Sequence, residues 1–185
     1  MEDLTKLLSE LNANSPVETI ESTFSRIAKI LLLNSYIQTS NGNYRLLEIE
    51  FYFYNNNHKD IVTMNRDEKA GMWWLHNWGV DISFYSEENN FYGGILIRSI
   101  AKLNSEEIIC GPQNCCWELF YSSALEHNMA PQIITNDKGK AFRGEIGRTR
   151  RYITGKTKGI DKDYRFFIKG IKLNSGANYK ASPWK

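Results

Sequence analysis

The chain has 185 residues, 42% hydrophobic and 13% aromatic, enough for a packed core and far from a disordered composition. No run approaches the roughly 18–20 apolar residues of a membrane helix, and the acidic start MEDLTKLLSELNANSP is unlike a secretory signal, so a cytoplasmic protein is expected. The net charge of +2 conceals 14 Lys and Arg against three Asp and Glu from Lys138 onward (+11, leaving −9 before it), which makes the last third either a polyanion-facing surface or a partner for the acidic part.

Leu4, Leu7, Leu8 and Leu11 recur at helical spacing and predict a short amphipathic helix over 3–11. Ser15-Pro16-Val17-Glu18 is a helix start, with Ser at the N-cap, Pro at the first helical position and Glu at the capping-box position. That helix is expected to reach about Leu33 and to bury Ile20, Phe24, Ile27, Ala28 and Leu31. Asn41-Gly42, between apolar runs near 34–38 and 44–54, predicts a hairpin turn. Segments 71–85 and 89–103 have strand character, and 114–128 predicts a helix after a Gly-Pro turn. YRFFIKGIKL, 164–173, is the clearest late strand. The pattern is α+β within one domain over 1–185, helical over 1–33 and mostly β in the middle of a core over 34–185.

The strand 44–54 carries the chemical signal. Its alternation sends Leu47, Ile49, Phe51 and Phe53 one way and Leu46, Glu48, Glu50, Tyr52 and Tyr54 the other. Two carboxylates on one face fit a solvated outer strand. Beside two tyrosines they also fit a desolvated pocket around a general base. His58 and Asp60 follow at the strand's exit.

Other chemistries are weakly signalled. Cys110, Cys115 and Cys116 have no CxxC spacing and fit buried thiols in a reducing compartment. His58, Asp60, His76 and Asp81 lack any metal-ligand spacing, so neither a metal nor another cofactor is expected. YITGKTKG fails as a phosphate loop, because Arg150 stands where the first Gly is required. No GxSxG occurs. Trp73, Trp74 and Trp78 form either core or a stacking platform for a base.

The run Glu48-Ile49-Glu50-Phe51-Tyr52 followed by His58 resembles the catalytic E-T-E-A-Y strand and later His of the alkyladenine (3-methyladenine) DNA glycosylase family. HNWGVDISFYSEENNFYGGILIRSI is similar to that family's Tyr-Gly hairpin and the strand ending in Arg. GPQNCCWEL resembles its G-P-x-K-L-C-x-A-L segment, YRFFIKG its late R-F-Y-V-x-G strand, and SRIAKILLLNSYI its helix and first strand. The likeness runs from about residue 22 to 172, with E-x-E-x-Y and Ile-Arg its sharp pieces.

The resemblance implies an α+β fold with a curved, partly barrel-like antiparallel sheet and surrounding helices. It implies a monomeric, monofunctional hydrolase that removes alkylated or deaminated purines from double-stranded DNA. Glu50 would activate water and Arg98 would orient it, both as catalytic residues. Tyr52 and His58 would sandwich the flipped base, and Trp78 would wedge into the duplex. Leu75 or, with a one-residue shift, His76 stands where the family has a third pocket aromatic. Tyr85 falls at its purine-screening Asn, and Asn114 replaces the Lys of its G-P-x-K motif. The basic third would hold phosphates through Arg148, Arg150, Arg151, Lys156 and Lys158, making binding salt dependent. The alternatives are a glycosylase-like module that binds nucleic acid without cutting, and a hydrolase of small nucleosides.

Overall fold

The computed structural model describes residues 3–121, 130–136, 142–153, 160 and 162–173. Two helices open the chain, α1 (Leu4–Leu8) and α2 (Val17–Leu33). The cap of α2 is Pro16, one residue later than predicted, because the Ser15 hydroxyl accepts the Asn12 N–H instead (2.9 Å). The apolar stripe of α2 is buried as expected: Ile20, Phe24, Ile27, Ala28 and Leu31 are fully enclosed.

Nine strands follow among the described residues, in one sheet in which every pairing is antiparallel. They are β1 (Ser35–Thr39), β2 (Gly42–Tyr54), β3 (Trp73–His76), β4 (Gly79–Ser83), β5 (Tyr92–Lys102), β6 (Ile108–Cys110), β7 (Gln132–Thr135), β8 (Ile146–Thr149) and β9 (Arg165–Ile168). The order β3-β4-β5-β2-β1-β7, with β6 on β5 and β9 joining β8 to β2, curls into a half-barrel. The fold is therefore α+β, as predicted.

The long strand β2 is the hub, paired with β5 on one edge and with β1 and β9 in turn on the other. Segment 71–85 is a hairpin rather than one strand. It reverses at Asn77-Trp78, where Gly79 takes a φ of +142°. A Cβ at Gly79 would stand 2.8 Å from the Pro112 ring, so the tip of the turn packs directly on α3 (Pro112–Cys116). The expected helix over 114–128 is α3 followed by a π-type turn, Trp117–Tyr121; residues 122–129 lie outside the described residues. No helix among the described residues is long and apolar enough to cross a membrane.

One apolar core runs from Leu7 to Ile168. At its centre Phe24 of α2 stacks on Phe51 of β2 (4.5 Å between ring centroids), with Phe84, Tyr164 and Phe166 around them.

Candidate functional site

β2 buries both of its faces. Ile49, Phe51 and Phe53 meet the helical core; Glu48 and Glu50 point the other way and are also fully buried. The solvated outer strand is thereby excluded. Burying a carboxylate is costly unless it is paired and hydrogen-bonded, and here each one is.

Glu50 Oε2 accepts the Tyr52 hydroxyl (2.8 Å) and Arg98 Nη1 (3.2 Å), while Oε1 accepts the backbone N–H of Tyr152 (2.8 Å). Glu48 Oε2 accepts the Ser99 hydroxyl (2.7 Å), and its Oε1 pairs with Arg165 Nε and lies 3.7 Å from Arg98 Nε. Arg98 thus stands between the two acids. Its placement rests on a break in the β2–β5 ladder: Glu48 pairs with Ser99 and Ile49 with Ile97, leaving Arg98 as an extra residue in a bulge. A bulge re-aims side chains, and this one brings Arg98 to both carboxylates and Ser99 to Glu48.

In front of this cluster lies a cavity of about 350 Å³, within the usual range of roughly 300–1,000 Å³ for small-molecule sites. Tyr52, Leu96, Arg98, Trp78, Tyr152 and Ile153 line it, together with Arg66, His76 and Asp81 on a second wall. Glu50 is not in the lining but directly behind it, bonded to three of the residues that are. Burial first, and then the charge of Glu50, holds the Tyr52 phenol well above its ordinary pKa, so Tyr52 remains a hydrogen-bond donor. A larger cavity of about 600 Å³, between α1 and β7, has Asp3 as the one ionisable residue among the described residues that line it.

The second wall is locked by its own pairs. Asp81 accepts Arg66 Nη2 (2.9 Å) and His76 Nε2 (3.2 Å), and the Arg66 guanidinium lies 3.7 Å above the Trp74 ring. A Cβ on Gly94 would come within 2.5 Å of Asp81 Oδ2 and 2.6 Å of Arg66 Nη1, so only glycine lets β5 pass beneath that pair. His76 Nδ1 accepts the Trp78 N–H (3.2 Å) and Gln113 donates to the Asn77 carbonyl (2.8 Å). Together they hold a turn whose Trp78 side chain stays 62% exposed at the cavity mouth.

The predicted residues therefore divide. Glu50, Arg98, Tyr52, His76 and Trp78 converge on one cavity. His58 does not reach it: Nδ1 donates to the Phe53 carbonyl (2.7 Å) and Nε2 meets the Tyr164 hydroxyl (2.9 Å). The short loop after Tyr54 folds the ring back into the core instead of over the pocket. Tyr85 also lies away, exposed and bonded to Glu87. Leu75 is exposed and does not line the cavity.

Arg148 and Arg150 are exposed, whereas Arg151 is buried and clamps Asp60 with both Nη atoms (2.6 and 2.9 Å). That guanidinium is committed to an internal acid and is not a phosphate contact. Lys156 and Lys158 lie outside the described residues. His58, Asp60, His76 and Asp81 do not gather, and among the described residues no cluster of three or more His, Cys, Asp or Glu could hold a metal. Cys115 and Cys116 are buried and Cys110 is half-buried; burial pushes the Cys115 thiol well up.

The sequence reading missed Tyr152 and Arg66. Tyr152 sits in a basic run that reads as phosphate-binding, and Arg66 in an irregular loop with no periodicity to betray it.

No family model matches the chain. It is 31% identical over 122 residues to an uncharacterized protein of Acanthamoeba polyphaga mimivirus, a match covering 51% of this chain and 55% of that protein. The chain thus spans about half the length of the curated relative it matches.

Proposed function

We propose that the chain is a monofunctional N-glycoside hydrolase that extrudes a damaged purine from duplex DNA and releases it. What carries the proposal is a buried carboxylate, Glu50, held by Tyr52, Arg98 and the Tyr152 N–H directly behind an aromatic-lined cavity with an exposed Trp at its mouth.

A carboxylate offers about four acceptor positions, and three are occupied here, which leaves one for water. In the proposed step Glu50 takes a proton from that water as its oxygen bonds to the sugar carbon. The C–N bond breaks and the base leaves with the bonding pair: a cationic N-alkylated purine departs neutral, and an uncharged one such as hypoxanthine takes a proton from solvent. Negative charge on Glu50 favours the oxocarbenium-like sugar, and Arg98 orients the water. Among the described residues, none of those lining the cavity is a Lys. Extrusion costs a few kcal/mol, least for a damaged or mispaired base. Exposed Arg148 and Arg150 are candidates for phosphate contact, with the salt dependence that implies.

One observation favours a second reading, a module that binds a modified base without cleaving it. Glu50 is fully buried and does not line the cavity wall, so water must reach it past Tyr52, Arg98 or Tyr152.

Single-turnover release of base from duplexes carrying 3-methyladenine, 7-methylguanine, hypoxanthine or ethenoadenine separates the two. Hydrolysis predicts release that falls by roughly 10²–10⁴-fold in Glu50→Gln. Duplex binding without release from any substrate selects the binding module. Loss of both sends the search to small glycosides.

A further inference from the structure

We infer that Tyr152 is a ligand-contact residue whose ring forms a wall of the base pocket, and that the pair Asp60–Arg151 is the device that holds it there. The inference rests on the proposed base-binding function of this cavity, and it names a wall that neither the E-x-E-x-Y strand nor His58 supplies.

Tyr152 meets the site twice. Its backbone N–H donates to Glu50 Oε1 (2.8 Å), and the residue is among those lining the cavity while remaining 54% exposed. The Arg98 guanidinium carbon lies 5.8 Å from the centre of its ring. An aromatic ring this exposed normally sits on a surface that tolerates movement. Here the backbone that carries it is fixed.

The neighbouring Arg151 donates to Asp60 Oδ2 and Oδ1 and to the carbonyls of Phe51 (3.0 Å) and Ile160 (3.2 Å). Asp60, fully buried, also accepts the N–H of Ile160 (3.1 Å) and the Thr63 hydroxyl (3.2 Å). One carboxylate therefore anchors the chain at both Arg151 and Ile160. The Arg151 guanidinium also lies 4.5 Å from the centre of the Tyr52 ring, so the same anchor supports the pocket's other tyrosine.

An exposed aromatic residue on an anchored backbone, lining the same cavity as Tyr52, suits a flat heteroaromatic ligand that stacks. Little reordering is needed when such a ligand binds. A purine base is of that class. Because loss of the ring leaves the N–H on Glu50, a Tyr152→Ala change is expected to weaken affinity far more than the chemical step.

The test is calorimetric titration of the full chain with free hypoxanthine and free 3-methyladenine. Wild type is compared with Tyr152→Ala and Tyr152→Phe, and melting temperatures are recorded to confirm that each variant folds. The expected result is binding of at least one base, weakened about tenfold or more in Tyr152→Ala and restored to within about twofold in Tyr152→Phe, in line with stacking energies measured for single bases. Equal affinity of wild type and Tyr152→Ala overturns the inference, and so does failure of wild type to bind either base. Base binding that needs the Tyr152 ring in a protein that releases no base from any duplex leaves the inference standing and removes the hydrolase reading.

Discussion

The two faces of β2 are both dry around residues 48–51 and built on opposite physics. On one face Ile49, Phe51 and Phe53 are enclosed by α2 and by Phe84, Tyr164 and Phe166. On the other, Glu48 and Glu50 are just as dry, and their charge is matched by Arg98 and Arg165. Apolar burial is favourable by about 25 cal/mol per Å², whereas a buried ion pair roughly balances its own desolvation. The first face holds the fold together. The second gains it little, and its arrangement makes sense as the floor of a site.

The sharpest way to break this comparison is to remove one partner from each face. Phe51→Ala is expected to cost about 3–5 kcal/mol in urea unfolding, through lost burial and a residual cavity. Arg98→Ala is expected to cost about 3–5 kcal/mol as well, because it leaves buried Glu50 without its counter-charge while Glu48 keeps Arg165. The causes differ, and a mutant cycle exposes the difference. Adding Glu48→Gln and Glu50→Gln to Arg98→Ala should recover part of the loss, since the cost is unpaired charge. The same two changes added to Phe51→Ala should recover none. Equal behaviour in both backgrounds would mean that the polar face is merely another piece of core.

The apolar face was legible in the sequence, and the polar face only in part. Period-2 alternation placed Glu48, Glu50 and Tyr52 together, because strand geometry is local. Arg98 stands out in the sequence only through its resemblance to a family motif; the bulge that aims it depends on pairing between strands about fifty positions apart. Arg151 was assigned to phosphate because a run of basic residues reads as surface. The tertiary fact that reverses it, a buried Asp60 across the sheet, leaves no trace in local composition. His58 followed the family's spacing, but a loop too short to reach the pocket turns it toward Phe53 and Tyr164. Tyr152 had no signal at all: an aromatic in a loop becomes a pocket wall only once the loop is anchored.

His58 sharpens the comparison from the core side, with a smaller effect. Burial, opposed by the Phe53 carbonyl and by Asp60, lowers its pKa below the ordinary value. Below about pH 6.5 the unfolded chain therefore binds a proton that the folded chain resists, so stability should fall as pH drops through that range. Urea midpoints measured from about pH 7.5 to about pH 5.5 should decline more in wild type than in His58→Gln. Equal slopes would show that the ring accepts a proton in place, with the Tyr164 hydroxyl turning to accept from it.

The smallest expected effect on stability belongs to Trp78. Its turn is held by backbone and neighbours: the N–H bond to His76, the Gln113 bond to the Asn77 carbonyl, and the contact of Gly79 with Pro112. Its ring is 62% exposed and contributes little to any of these. Trp78→Ala should therefore change unfolding free energy by no more than about 0.5 kcal/mol, as for surface substitutions generally. Under the proposed function it should still weaken binding to a duplex with a mispaired base, because a wedge side chain offsets the cost of unstacking. Measured together, the two quantities separate cleanly. A ring that matters to stability belongs to the core, like Phe51. One that matters to duplex binding alone belongs to the site, and such a result would tie the exposed turn to the buried acid through a common ligand rather than a common fold.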